Sequence, residues 1–198
     1  MCCLVGEKAR VFITLIYYYV VLALYFWLGI LKGLLLYGVT PSFVALLHTH
    51  QAMRRTEELD ETYIKKTFWL FYKQYDHAKV QSFILSVSSL LLLAMFTYSL
   101  FQGWSIVFVL VIIYFLLLLF GAASYMFYYL TSKQAIEKSA FAIGFVQMVR
   151  EIKITLPLLV SIVVLLGIAY YNLFLFIVVA PTIYAAVVNG LMSRRTKE

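Results

Sequence analysis

Two histidines, His48 and His50, are the side chains within a long apolar segment of this sequence that could take part in catalysis or metal binding. On a helix, residues two positions apart point about 200° away from each other. The pair therefore lacks the i, i+4 spacing by which two histidines ligate one metal ion from one helix face. No Cys, Asp or Glu lies in the same segment to complete a ligand set. We interpret them as histidines near the lipid headgroups, with ligand binding or pH sensing as the alternative.

Catalysis inside a bilayer requires ionisable or activated side chains, and the apolar segments lack them. One segment carries four serines with no His or Lys spaced to activate them: Ser82, Ser86, Ser88 and Ser89. Hydrogen bonding between helices is the expected use of such serines. No Asp, Glu or Arg lies in any predicted span, which excludes a carboxylate proton relay and an aspartyl protease. The sequence predicts a non-enzymatic protein with no cofactor and no metal site.

A break in the second apolar segment is the other candidate site. Gly38 loosens the backbone there, and Pro41 removes a hydrogen-bond donor and biases Thr40 away from helical geometry. A broken or re-entrant helix is predicted. Its N-terminus at Ser42 either faces an anionic group, as in transporters, or the proline only shapes packing. The candidate substrate or partner site combines the break, the two histidines and two residues near the C-terminus: Gly38, Thr40, Pro41, His48, His50, Pro181 and Asn189.

The composition indicates which elements position these residues. Of the 198 residues, 64% are hydrophobic and 13% are charged, far from the balance of a soluble domain. A helix needs about 20 apolar residues to cross the hydrocarbon. We predict an all-α, polytopic transmembrane helix bundle that forms a single membrane domain over residues 1–198. It has about six spans, at residues 11–31, 34–53, 80–101, 105–130, 154–170 and 173–192.

Two polar segments separate these spans. Residues 62–77 and 132–153 carry apolar side chains at helical spacing opposite lysines and arginines. This pattern is typical of amphipathic helices that lie in the membrane interface. We place both on the cytoplasmic side.

The distribution of positive charge predicts the orientation. With six spans, all but one of the sixteen Lys and Arg residues lie on one side, and Lys32 lies alone on the other. The positive-inside rule then places both termini of this multi-pass protein in the cytoplasm. The net charge of +7 suits the anionic cytoplasmic leaflet. Nucleic acid is not expected as a partner, because a basic stripe for it needs a soluble face.

The N-terminal residues add two expectations. Cys2 and Cys3 are adjacent and cannot join distant elements, so no structural disulfide is expected. We interpret them as cytosolic thiols, with a lipid-modified pair as the alternative. The first apolar run is longer than the h-region of a signal peptide, so we expect it to be retained.

The chain also resembles itself over short stretches. Pro41 and Pro181 are each followed thirteen and fourteen residues later by two arginines. Phe68 and Phe71 precede a lysine and a span, as do two phenylalanines of the second polar segment. The two units would run in the same direction and form a parallel repeat. Coincidence within low-complexity apolar sequence is the alternative.

Residues 33–46, which read Gly-Leu-Leu-Leu-Tyr-Gly-Val-Thr-Pro-Ser-Phe-Val-Ala-Leu, and the later stretches Thr67-Phe68-Trp69 and Lys73-Gln74 carry a family resemblance. They resemble the YesL-like family of bacterial membrane proteins, a domain of unknown function. The second half is similar from Ser139 onward but departs at 129–131, where the family pattern would have a proline. The resemblance implies a small protein of the bacterial cytoplasmic membrane, often encoded beside carbohydrate-uptake ABC transporters and two-component regulators. It implies no catalytic residue.

Two functions follow. The first is a non-enzymatic accessory or scaffold protein, associated with carbohydrate uptake or its sensing, whose partners are the lipid bilayer and an ABC transporter or histidine kinase subunit. The second is a small solute transporter or channel that uses the broken helices at Pro41 and Pro181.

Overall fold

A computed structural model describes residues 2–56, 60–133 and 140–195, and over these ranges the chain is helical with no strand. This confirms the predicted all-α bundle. Eight α-helices lie in the described ranges: α1 (Cys2–Lys32), α2 (Val39–Met53), α3 (Glu61–Gln74), α4 (Lys79–Phe101), α5 (Ile106–Lys133), α6 (Ala140–Arg150), α7 (Ile152–Tyr171) and α8 (Leu173–Arg195). A short 3-10 turn, Asp76–Ala78, joins α3 to α4.

Five segments of the described chain are long and apolar enough to cross a membrane: Ile13–Lys32, Lys79–Phe101, Ile106–Ser132, Ile152–Tyr171 and Leu173–Ser193. They bury only a minor share of their side chains inside the protein. The remaining apolar surface needs hydrocarbon around it, so the protein is a helical membrane protein. The second predicted span, 34–53, differs from the other five. Its helix α2 has 15 residues and a length of about 22 Å, shorter than the hydrocarbon core.

The chain reverses between α1 and α2 in a tight turn over residues 33–38. A Cβ atom on Gly33 would overlap the backbone of Gly38, and one on Gly38 would lie 2.8 Å from the carbonyl oxygen of Ile30. Leu34 and Leu35 between them adopt left-handed φ values of 51° and 64°. Such values are unfavourable for side chains other than glycine, so close packing of the two helix ends holds this turn.

Pro41 does not break a helix, contrary to the sequence prediction. It lies in the first turn of α2, which begins at Val39. A backbone N–H in this turn has no partner within the helix, so proline removes nothing there. The irregular backbone is the α1–α2 turn, and α2 is continuous after it.

The α1–α2 turn lies beside the beginning of α4. The hydroxyls of Ser82 and Ser86 donate to the carbonyl oxygen of Leu36 at 3.1 and 3.0 Å. The ring of Tyr37 stacks on Phe83 with a centroid distance of 5.6 Å. From Ser86, α4 continues for about 22 Å before it ends. The hairpin of α1 and α2 therefore stops well short of the α4–α5 turn.

The position of the α1–α2 hairpin along α4 contradicts the side of the membrane predicted for Lys32. Lys32 and Lys79, the first residue of α4, line the same surface cavity. They cannot lie on opposite sides of a bilayer, as the six-span topology required. The predicted assignment of Lys32 and Lys79 to opposite sides is therefore wrong.

The amphipathic helix α3 packs along α1 and α2. Its residues Ile64, Phe68 and Tyr72 are buried in the main apolar core. The Tyr72 hydroxyl donates to the carbonyl oxygen of Gly29 at 3.1 Å, and the Tyr17 hydroxyl donates to Glu61 at 3.0 Å. The helical periodicity predicted for 62–77 is confirmed, but its apolar face meets protein instead of lipid.

The second amphipathic segment, 132–153, contains α6, and its residues 134–139 lie outside the described ranges. A Cβ atom on Gly144 would lie 2.8 Å from the carbonyl oxygen of Ala122 and 2.9 Å from the amide nitrogen of Met126. A glycine is required at this approach of α6 to α5. Like α3, α6 packs on the helix before it and leads directly into a long apolar helix. This shared order of helices supports the predicted repeat. Pro181 does not support it, because this proline lies inside α8, whereas Pro41 lies in the first turn of α2.

We predict that Gly144→Ala lowers thermal stability. Alanine normally favours a helix over glycine, but here its methyl group would press on the α5 backbone. Overpacking of this kind costs about 1–3 kcal/mol, and each kcal/mol is worth roughly 2–4 °C in melting temperature for a chain of this size. The control is Gly167→Ala, because nothing lies within 4 Å of a Cβ atom there. Melting in detergent should be lower for the first variant only; equal values would contradict the packing.

Candidate functional site

The structure brings together two of the predicted site residues, His50 and Asn189. The amide nitrogen Nδ2 of Asn189 lies 3.0 Å from His50 Nδ1 and donates to the carbonyl oxygen of Leu47 at 3.3 Å. The Gln51 side-chain amide donates to Asn189 Oδ1 at 2.9 Å. We call these four residues the α2–α8 polar cluster. Helix α8 is thereby joined to the C-terminal half of α2.

The hydrogen bonds define the state of His50. An amide nitrogen only donates, so His50 Nδ1 must accept, and the ring is neutral with its proton on Nε2. The imidazole is buried and stacks on Tyr19 with a centroid distance of 5.8 Å. No group of three His, Cys, Asp or Glu residues that could hold a metal ion occurs among the described residues. The hydrogen bonds of the cluster connect α2 to α8.

His48 lies on the opposite side of α2, as its two-residue spacing from His50 predicts. Its ring stacks on Phe71 of α3 with a centroid distance of 4.0 Å and an interplanar angle of 2°. The atom Nε2 is buried and has no hydrogen-bond partner among the residues that the structure describes. His48 thus contributes mainly to the packing of α2 on α3, and the two histidines share no site.

The N-terminus of α2 is already occupied by protein groups. The backbone N–H of Thr40 donates to Ser82 Oγ at 3.2 Å. The Ser82 hydroxyl in turn donates a hydrogen bond to the carbonyl oxygen of Leu36, so one serine connects the turn and the helix. Gly38 precedes the helix and packs on Ile30, and Ser42 is buried. Of the two alternatives for this helix N-terminus, this arrangement supports packing within the protein and does not support an external anion at Ser42.

Pro181 has a structural consequence that the sequence analysis missed. A proline inside a helix leaves the carbonyl four residues earlier without its usual partner. Here that carbonyl belongs to Ile177, and it accepts a hydrogen bond from Trp27 Nε1 at 2.7 Å. The indole of α1 replaces the missing N–H of α8. The proline alone indicates that a carbonyl of α8 needs another donor. It does not indicate which residue supplies that donor.

An apolar cavity of about 480 Å³ lies between the α1–α2 hairpin and helices α4, α5, α7 and α8. Pro181 and Tyr184 line it from α8, and Val39 and Phe43 line it from α2. Pro41 is not part of its wall. The two prolines therefore do not form a common site.

The wall of the apolar cavity has few polar groups, and its hydroxyls bond to protein. Tyr184 donates to Ser124 at 2.8 Å, and Ser124 donates to the Phe120 carbonyl oxygen at 2.7 Å. Ser89 donates to the carbonyl oxygen of Ser86 at 2.9 Å. No charged side chain of the described residues lies in the lining. Such a cavity suits apolar groups and offers little to a polar solute.

A second cavity, of about 570 Å³, opens at the surface where α1 ends and α4 begins. Sequence reasoning missed it because Lys32 was assigned to the other side. We call it the basic cavity, and it is lined by Lys32, Gly33, Leu34, Tyr37, Tyr72, Lys73, Asp76 and Lys79.

The lysines Lys32 and Lys79 of the basic cavity make different contacts. The Lys32 ammonium lies 4.5 Å from the ring centroid of Trp69 and 5.7 Å from that of Tyr72, within range of cation–π attraction. Lys79 pairs with Asp76 at 3.3 Å, and both side chains are exposed. Burial raises the pKa of Tyr72, so its hydroxyl stays a neutral donor to Gly29.

Comparison with known families gives one match. Residues 19–100 match the model of a family described as a protein of unknown function, DUF624. The matched part runs from α1 to the end of α4 and includes every residue that lines the basic cavity. No curated protein and no solved structure matches the chain. The match agrees with the resemblance in pointing to a domain whose function is not known.

We predict that His50 and Asn189 are energetically coupled. Removing either one leaves a buried polar partner unpaired, which costs roughly 1–3 kcal/mol. Once one of the two residues has been replaced, replacing the second should lower the free energy of unfolding by a smaller amount. In a double-mutant cycle of His50→Ala and Asn189→Ala, unfolding should show a coupling of about 0.5–3 kcal/mol.

The control cycle pairs Asn189→Ala with His48→Ala. His48 packs on α3 instead of α8, so these two effects should add. Equal coupling in both cycles would mean that the hydrogen bonds of the α2–α8 polar cluster are not its source.

Proposed function

We propose that this protein is a non-enzymatic accessory or scaffold component of a bacterial cytoplasmic membrane. It acts by binding another membrane protein. The family resemblance suggests a carbohydrate-uptake ABC transporter or a histidine kinase subunit as that partner. The supporting observation is the apolar cavity, which is large and, over the described residues, is lined by no charged or unpaired side-chain group.

The apolar cavity opens sideways toward the bilayer. Leu90 and Leu93 of α4 and Leu166 of α7 line it, yet 56%, 41% and 42% of their surfaces are exposed. Helix α4 buries only four of its 23 residues in the protein: Ser82, Leu85, Ser86 and Ser99. The face of α4 beside the cavity is therefore free to contact an apolar helix, which has a diameter of about 10 Å.

The chemistry of the site favours binding over catalysis. An enzyme needs an acid, a base or a nucleophile near its substrate. Among the described residues, the polar side chains of the cavity wall are hydroxyls and the Trp27 indole, and these bond to protein. Helix association in a membrane relies on packing and needs no such group. A scaffold protein that binds another helix needs the apolar packing surface that this site provides.

We predict that filling the apolar cavity weakens partner binding. Leu90→Trp adds an indole where the cavity opens, while Leu91→Trp adds the same bulk on α4 at a position outside the lining. Purified in mild detergent from membranes of its own organism, the wild type and Leu91→Trp should retain a transporter or kinase subunit. Leu90→Trp should lose it by on the order of tenfold, the effect of 1.4 kcal/mol.

The melting temperatures of both variants should match that of the wild type, which separates binding from folding. Repeated isolation of the wild-type protein alone would contradict the proposal. So would equal retention of the subunit by Leu90→Trp and Leu91→Trp.

A small transporter or channel is the second candidate. The observation in its favour is that the apolar cavity reaches Pro181, where α8 already lacks one helical hydrogen bond. A helix weakened there could bend during transport. If so, reconstituted protein should move a solute into vesicles, and Pro181→Ala should slow that flux at least severalfold. No uptake across a broad panel of solutes would exclude this function.

A further inference from the structure

We propose that the basic cavity binds the phosphate-bearing head group of an anionic phospholipid. Three segments contribute its cations: Lys32 from the end of α1, Lys73 from the end of α3 and Lys79 from the start of α4. Asp76 is the single carboxylate in the lining. The cavity therefore has a formal charge of +2. The site is independent of the membrane partner proposed above.

The cations are available to a ligand. Asp76 pairs with Lys79, and no carboxylate pairs with Lys32 or Lys73 in the part of the chain that the structure describes. The rings of Trp69 and Tyr72 hold the Lys32 ammonium at the cavity. Cation–π contact restricts its position but does not neutralise its charge, so a phosphate can still bind it.

The position of the basic cavity, next to exposed apolar side chains, favours a lipid over a soluble anion as its ligand. Lys79 is the last charge before an apolar helix, and Val80 and Ile84 directly after it are 70% and 59% exposed. Leu34 on the rim is 78% exposed. The cavity therefore lies where a charged surface meets hydrocarbon. A phospholipid fits both parts at once, with its phosphate at the lysines and its acyl chains along α4, whereas a soluble phosphate uses only the first.

The test uses the full-length protein in detergent and native mass spectrometry. The probes are phosphatidylglycerol and phosphatidylcholine with identical acyl chains, so that only the head-group charge differs. Wild-type protein should prefer phosphatidylglycerol. A basic residue near an anionic lipid contributes about fivefold in affinity. The triple variant Lys32→Gln, Lys73→Gln, Lys79→Gln should therefore lose at least tenfold of this preference.

A matched control removes three exposed charges elsewhere: Arg55→Gln, Lys65→Gln and Lys66→Gln. This control should keep the wild-type preference. A second variant works in the opposite direction, because Asp76→Asn removes the cavity's carboxylate and should raise the preference severalfold. A misfolded protein would not show such a gain.

Three results would overturn the proposal. The first is a wild-type protein that binds both lipids equally. The second is a control triple variant that loses as much as the cavity variant, which would indicate a general effect of surface charge. The third is displacement of the lipid by millimolar inorganic phosphate or glycerol phosphate, which would indicate a site for a soluble anion.

Discussion

The depth of the first hairpin depends on the hydrogen bonds that Ser82 and Ser86 make with the α1–α2 turn. Groups at helix ends lack partners within their own helix, and in a membrane protein little water is present to supply them. The Leu36 carbonyl and the Thr40 N–H find theirs on the first two turns of α4. Shifting the hairpin along α4 by one turn would leave both groups buried and unpaired, at a cost of several kcal/mol. The position of the hairpin along α4 also determines where the two cavities lie. The basic cavity lies beside the turn, toward α3, and the apolar cavity lies between the hairpin and the long helices.

Hydropathy predicted the long helices well because a membrane helix depends on local composition. The predicted spans 80–101 and 105–130 agree with α4 and α5 to within three residues at each end. The same reasoning failed for α2, since an apolar segment can meet lipid or protein and composition does not distinguish the two. Helix α3 shows the same limit. Its periodicity identified the buried face, but its packing against α1 is a tertiary contact, and Tyr72 lies 43 residues from its acceptor Gly29.

The candidate site was predicted residue by residue, without the contacts between its members. His50 and Asn189 were both selected, and they are hydrogen-bonded although 139 residues separate them. Pro41 and Pro181 were treated as equivalent, yet their effects differ because their positions in a helix differ. The first turn of α2 tolerates Pro41 without compensation. Pro181 frees a carbonyl in the middle of α8 and requires the indole of Trp27. A residue type predicts a local backbone need, and only the fold determines how that need is met.

The charge of Lys32 and the hydrogen bonds of the hairpin favour the same depth. A longer hairpin would carry Lys32 through the hydrocarbon to the uncharged end of the bundle, away from the aromatic rings that now hold it. At the present depth its ammonium lines the same surface cavity as Lys79, at the ends of two apolar segments, so the cost of burying the charge among them is avoided. The chain has no Lys or Arg between residues 80 and 132 or between 154 and 193, so the distal ends of α4, α5 and α7 carry no positive charge. Electrostatics and backbone pairing thus act on different residues but stabilise one arrangement, in which Lys32, Lys73 and Lys79 meet at one surface of the protein.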